Sequence, residues 1–560
     1  MKPPRLLPLF ALLITTTLAS KSHSHGDGMI KTSADIPLPS DQYPPTYFVL
    51  PDSKTIIYLH ITLMTLSWVF ILPIAVMLSL VRSRYTLLLQ FLFAGFNAAG
   101  LLLGVVYNAS TQDLYPNNAH HKLGWVVSFT VGIQILIGML GRVAGVFEKM
   151  KRGGYGYDLV SRENMVEHEL KYYVGERRRF SNDSGQGTEL ESESSGSGSQ
   201  PLSPVVESFE DVVMEDEVKV GKAHKVVARL AGKISDRFWK VLLLGYNLVD
   251  RVILVLGFVA FATGIVTYGR FFEGSGIFSG LAHWIKGGVF FWLGIFTLGR
   301  WAGCFGELGW AWNVAPKCPN ASWRPSAEFV ESFLIFFYGS TNIFLEHLGG
   351  WGGEWSAQDL EHVSITVLFI GGGLCGMLIE SVRIRTLLNH TVAAELETAL
   401  EEDEEKLREP ETYSFSLNPM PALVILLLGL MMSSHTQQSM ISSMVHKQWG
   451  NLLTGASFAR GFTYVLVYLR PPKSVFPSRP PTELLTAFGL ISGGIIFMAS
   501  ASDTVSGMIH YQLDAMFMYT VTMGLVGLLM AWVIICVAIK GWAARVESAA
   551  HKRRRGGSLA

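Results

Sequence analysis

The 560-residue sequence predicts an all-α polytopic membrane protein, with about eleven transmembrane helices after a cleaved signal peptide. Three observations predict that class. Hydrophobic residues make up 49% of the chain and charged residues only 16%, well short of the roughly 25% charge of an ordinary soluble domain. Apolar runs of about 20 residues, the length needed to cross a hydrocarbon core, recur along the chain. Aromatic residues reach 12%, with 14 Trp, as interfacial belts require. The apolar content excludes a chain that is disordered throughout. The 45 basic residues are matched by 45 acidic ones, so there is no basic excess for a nucleic-acid partner. The implied partner is the lipid bilayer. Cys304, Cys318, Cys375 and Cys536 are too few for a disulfide framework and show no zinc-ligand spacing.

The elements follow in order. Residues 1–19 carry Lys2 and Arg5, an apolar core from Leu6 to Ile14 and small residues at Thr17 and Ala19, a signal-peptide pattern. Its removal places residues 20–54 on the lumenal side. Spans at 56–81, 87–107 and 123–141 form an amino-terminal membrane domain, residues 55–147. The stretch SNDSGQGTELESESSGSGSQPLSP makes residues 148–240 a disordered cytosolic linker. A second membrane domain, residues 241–545, holds eight spans: 249–268, 284–298, 329–345, 363–379, 422–439, 449–469, 484–499 and 517–539. The span at 422–439 is the weakest, because polar residues occupy its end from Ser433. Residues 395–409 read as a short solvated helix, and residues 546–560 as a basic cytosolic tail.

An odd number of spans puts the carboxyl terminus in the cytosol, and the distribution of positive charge agrees. Of the 45 Lys and Arg, two lie in the signal and Arg460 lies within a span; the remaining 42 divide into 35 cytosolic and 7 lumenal. Setting aside 16 in the long loop and Arg251 at its edge leaves 18 against 7. The membrane is therefore one of the secretory pathway or the cell surface.

With that orientation, nearly every histidine near a span end is lumenal. A polar tip at the interface accounts for any one of them. The asymmetry between the two faces points instead to a lumenal metal, haem or proton site. For haem b, two imidazoles must face each other from separate helices at one depth. His60 and His121 open the first and third spans on the same side, with His120 pointing about 100° away from His121. His60, Met64 and Trp68 share one helix face. His283 opens the fifth span at the same level. For copper, zinc or iron, Glu346-His347 and Glu361-His362 are two Glu-His pairs joined by a glycine-rich loop, with His435 and His446 across the bundle. Helix capping and interfacial anchoring are the plain reading of the same residues. Arg460 within its span requires a partner, and the candidate acids are Glu331, Glu380 and Glu483, all nearer the cytosolic face.

Three stretches carry a family resemblance. HWIKGGVFFWLGIFTLGRWAGCFGELGWAWN, EHLGGWGGEWSAQDLEH and HTQQSMISSMVHKQWGNLLTGASFARGFTYVL resemble the fungal YTP-like transmembrane proteins. The stretch from YLHITLMTLSW to AHHKLGWVVSF resembles the domain of unknown function that precedes that region in the same proteins. The resemblance implies a multi-pass membrane protein and supplies no catalytic residues. The first and third spans also resemble core helices of di-haem transmembrane cytochromes b. That family's second histidine pair has no counterpart in LLLQFLFAGFNAAGLLLGVVY. The function expected from the sequence is therefore haem- or metal-linked electron transfer at the lumenal face, with a metal-ion or small-solute transporter, or a membrane scaffold, as the alternatives.

Overall fold

A computed structural model describes residues 43–50, 52–143, 236–274, 277–316, 324–342, 355, 357–396, 410–434, 437 and 439–556. The signal peptide, most of the linker and the 397–409 segment lie outside the described residues, as do Glu346, His347 and His435. The described residues are helical, joined by turns and loops. The chain divides into a large unit, residues 1–135 with 247–560, and a small one, residues 136–246. Among described residues the small unit holds only the last turns of the third helix and the first turns of the fourth.

Thirteen helices are described, and nine helical stretches are long and apolar enough to cross a membrane. The spanning set begins with α1 (Lys54–Leu80), α2 (Thr86–Ser110), α3 (Ala119–Val143), α4 (Asp236–Gly269) and α5 (Ile277–Ala302). α6 (Ala327–Asn342), at 16 residues, is shorter. α7 (Ala357–Glu380) spans again, and α8 (Val382–Leu396) follows it. α9 (Met420–Ser434) is an apolar helix of 15 residues. α10 (Met440–Leu469), α11 (Pro481–Ala499) and α13 (Ala515–Gly556) span, with the short α12 (Ser502–His510) between the last two. Each of the eleven predicted spans thus coincides with a helix, and among the described residues the two shorter than spanning length are α6 and α9. The described part of α9 ends at Ser434, within the polar run that weakens its predicted span. α13 runs on past the bilayer length, carrying the basic tail on its helical backbone to Gly556.

Local chemistry fixes the phase of these helices. Asn118 caps α3, its Oδ1 accepting the His121 backbone N–H at 2.9 Å. Ser439 caps α10 through the Ser442 N–H, and Asp514 caps α13 through the Phe517 N–H at 2.7 Å. α1 contains Pro73, which cannot donate to the carbonyl of Val69 four residues back. The helix widens into a π turn over Leu66–Ile71, and the freed Val69 carbonyl accepts the indole N–H of Trp532 on α13 at 2.9 Å. A proline-generated orphan on one helix is thus satisfied by another.

Within the large unit, α1 to α4 share a core of Ile71, Leu72, Val76, Phe93, Val127, Val131, Ile135 and Ile253. The other spans assemble around α11, two-thirds of whose apolar window is buried, against 17–39% in the others. Glycines set the spacing there. A Cβ on Gly494 of α11 would sit 2.5 Å from the Gly287 carbonyl and 2.6 Å from the Phe291 nitrogen on α5. Gly429 on α9 and Gly450 on α10 are in the same relation. Such backbone-to-backbone approach is how helices associate where lipid removes the hydrophobic drive. The outward faces are apolar, with Leu88, Phe129, Phe337, Phe462 and Leu528 all exposed, as contact with acyl chains demands.

Candidate functional site

Two polar constellations stand at opposite ends of these helices. The first is at the end where α1, α3, α5 and α10 begin. His60 on α1 and His120 on α3 lie with ring centroids 6.4 Å apart and planes at 85°. Each imidazole is held in the same way. His60 Nδ1 meets the Gly100 carbonyl of α2 at 2.7 Å, and His120 Nδ1 meets the Ala260 carbonyl of α4 at 3.0 Å. A glycine lies four residues after each acceptor, and the ring packs on it: His60 on Gly104, His120 on Gly264. Without a Cβ at that position, a side chain can reach a carbonyl already engaged in its helix. A carbonyl only accepts, so Nδ1 carries the proton in both rings, and a ring in its neutral form has its lone pair at Nε2.

Here the structure corrects the sequence. His120, not His121, faces His60. The buried stripe of α3 is Val127, Val131 and Gln134, and stepping back seven residues from Val127 reaches His120. His121 lies on the exposed side with Trp125 and Phe129. The face shared by His60, Met64 and Trp68 is a packing face: Met64 fills the space at Gly100 and Trp68 that at Gly257. The Trp68 indole donates to Asn97 Oδ1 at 2.9 Å, and Asn97 donates to Ser128 Oγ at 3.2 Å.

His283 and His446, assigned in the sequence to different groups, form a second perpendicular pair, with centroids 6.1 Å apart. His446 is buried, its Nδ1 bonded to the Ser442 carbonyl at 2.8 Å. It adjoins Trp449, which stacks on Phe497 at 4.1 Å. Glu361 is exposed and His362 half-buried at the start of α7. Among the described residues no three His, Cys, Asp or Glu side chains converge as a metal-binding group. At the same end Tyr43 stacks on His510 at 4.1 Å. Burial, with the Tyr511 and Asp503 charges adding to it, pushes the Tyr43 phenol up to about 12.

The second constellation is at the other end and is fully buried. Arg460 of α10 donates from Nη1 to both oxygens of Glu331, at 3.1 and 2.9 Å, and from Nη2 to Glu483 at 3.1 Å and Thr297 at 2.8 Å. Two of the three partners expected for it are therefore in place. The third, Glu380, instead accepts from Ser326 and Ser416. The sequence missed a second arginine. Arg300, at 2% exposure, bonds Glu328 at 2.9 Å, Glu331 at 3.1 Å and the Trp310 carbonyl at 2.7 Å. The Trp312 ring lies 4.3 Å from its guanidinium carbon. Asp250 was missed too: it is buried on α4, accepting from Ser79 and Gln134 at 2.6 Å each.

Helices of spanning length, lipid-facing apolar surfaces and a buried ionic cluster define a polytopic α-helical membrane protein. Comparison places it more narrowly. The model for YTP1-like proteins, carboxyl-terminal region, matches residues 256–541, and that for a domain of unknown function, DUF2427, matches residues 41–144. An uncharacterised membrane protein of Schizosaccharomyces pombe is 33% identical over 86% of this chain and 93% of its own length. An uncharacterised membrane protein of Saccharomyces cerevisiae is 42% identical over 53% of this chain and 48% of its own. Protein YTP1 of the same yeast is 24% identical over 34% of each. The chain belongs to the YTP1-like family. No solved structure matches it.

Proposed function

We propose that the protein is a membrane metalloprotein that holds copper between His60 and His120, at an end facing the lumen. The observation that carries this reading is the paired tethering of the two rings. A ligating histidine characteristically donates its other ring N–H to a carbonyl, which fixes the tautomer and aims the lone pair. A metal–imidazole bond of about 2 Å puts the ion roughly 3 Å from the ring centroid, so two rings on one ion stand roughly 5–6.5 Å apart. The 6.4 Å separation falls in that range. Two imidazoles suit copper better than a hard cation. An ion also needs less room than a haem, and the glycine notches around the pair are already filled by His60, Met64, Trp68 and His120. Copper in such a site supplies one-electron chemistry. The orientation rests on the excess of Lys and Arg at the opposite ends of the helices.

The test is metal analysis of the purified protein with an absorbance spectrum of the same sample. Copper near one equivalent, lost in His60→Ala and His120→Ala but kept in His121→Ala, is the expected result. Metal-free protein after copper loading overturns the proposal. A reducible Soret band lost in the same two variants would move the site to haem b. A second reading, an ion-coupled carrier, is favoured by the buried Arg460 cluster.

A further inference from the structure

The Arg460 cluster does not balance. It contains two guanidinium groups, Arg300 and Arg460, and three carboxyl groups, Glu328, Glu331 and Glu483, so full ionisation leaves 2 − 3 = −1. All five side chains are at most 6% exposed, so water cannot screen the surplus. An uncompensated charge in such surroundings is strongly penalised, and proteins relieve it by binding a counter-charge.

Hydrogen bonding shows where the surplus lies. Glu331 bridges both arginines and accepts three bonds, and Glu328 faces Arg300 at 2.9 Å. Glu483 meets one guanidinium nitrogen through Oε2, and its Oε1 is buried with no hydrogen-bond partner. The Tyr464 hydroxyl is buried and unpartnered as well. Buried acceptors rarely remain in this state, and two such oxygens in one cluster mark a position that the protein's own groups do not fill. Glu483, at 0% exposure, is the most deeply buried of the carboxyls.

We infer that the cluster binds one exchangeable monovalent cation, a proton or a sodium ion. Binding neutralises the sum. The ionisable groups facing the site are Arg300, Glu328, Glu331, Arg460, Tyr464 and Glu483, from α5, α6, α10 and α11. Such a site links the stability of the bundle to a cation on the Arg460 side of the membrane, and its premise is independent of the histidine pair.

The test uses the full chain in lipid nanodiscs. Unfolding is followed across a pH series without sodium and across a sodium series at fixed pH, for the wild type and Glu483→Gln. Gln keeps the shape and cancels the surplus. The folded-to-unfolded ratio of the wild type, relative to Glu483→Gln, should rise by up to tenfold for each tenfold rise in the cation once the cation exceeds the dissociation constant of the folded-state site. Dependence on pH alone identifies the proton, and dependence on sodium at fixed pH identifies sodium. Parallel curves for the two proteins in both series overturn the inference. Should Glu483→Gln fail to fold, Glu328→Gln cancels the same charge and must also abolish the dependence; a wild-type response there overturns it equally.

Discussion

Replacing Arg460 by Gln tests how far the ionic cluster holds the bundle together. Gln is too short to restore the guanidinium fork, so Glu331 keeps Arg300 alone and Glu483 loses its only hydrogen-bonded cation. The cluster charge goes from −1 to 1 − 3 = −2. Removing one partner of a buried ion pair costs about 3–5 kcal/mol, because the other charge is left without compensation. The charge-assisted bond to Thr297 adds about 1.5–3 kcal/mol. At roughly 2 °C per kcal/mol for a large domain, the unfolding midpoint should fall by about 9–16 °C. The assay is thermal unfolding of detergent-purified protein, followed by loss of the monodisperse elution peak. Part of the loss should return in the double variant Arg460→Gln/Glu483→Gln, which deletes the stranded carboxylate; contacting charges of this kind couple by about 0.5–3 kcal/mol. If the double variant unfolds at or below the midpoint of Arg460→Gln, Glu483 carries no uncompensated charge and the account of the cluster is wrong.

Two further predictions concern the scaffold. Gly494→Ala drives a methyl group into the Gly287 carbonyl and the Phe291 nitrogen, and should destabilise by about 1–3 kcal/mol. Gly527→Ala, with nothing within 4 Å of its Cβ, should be neutral or stabilising by up to ~1 kcal/mol; equal midpoints for the two variants would contradict the packing described. Trp532→Phe removes the donor to the Val69 carbonyl and should cost about 1 kcal/mol. In a Pro73→Ala background, where the helix supplies its own donor, the same change should cost less, which a double-mutant cycle on unfolding midpoints would read.

The helical class and the positions of the spans are legible in the sequence because hydropathy over some 20 residues integrates a large transfer free energy that local chemistry does not overturn. Pairing is less legible, and the reasons are specific. Arg300 lies just past the predicted end of its span, where a cation reads as a cytosolic anchor; only the fold shows Glu328 and Glu331 beside it. Asp250 stands at the very start of its predicted span, and only the fold shows Ser79 and Gln134 donating to it. The choice between His120 and His121 needs the phase of α3, which the spacing of Val127, Val131 and Gln134 does contain. The small and flat residues Gly124 and Trp125, which follow His121, pull the reading the other way, since they suit a macrocycle. The π turn of α1 is signalled by Pro73 alone, and its partner Trp532 is 463 residues further on.

The two constellations differ in what the bundle does for them. At the histidine end, glycines on α2 and α4 yield space so that side chains reach backbone carbonyls, and the imidazoles end with one nitrogen fixed and the other presented. At the arginine end charge is packed against charge, with one carboxylate in excess. Fixed neutral donors favour binding an ion that brings its own charge, whereas an unbalanced buried cluster favours exchanging one. Substitution at His120 should therefore alter metal content with little change in the response to pH or sodium, and Glu483→Gln should do the reverse. Loss of copper from Glu483→Gln would show that the two ends are coupled and that neither site can be assigned a role alone.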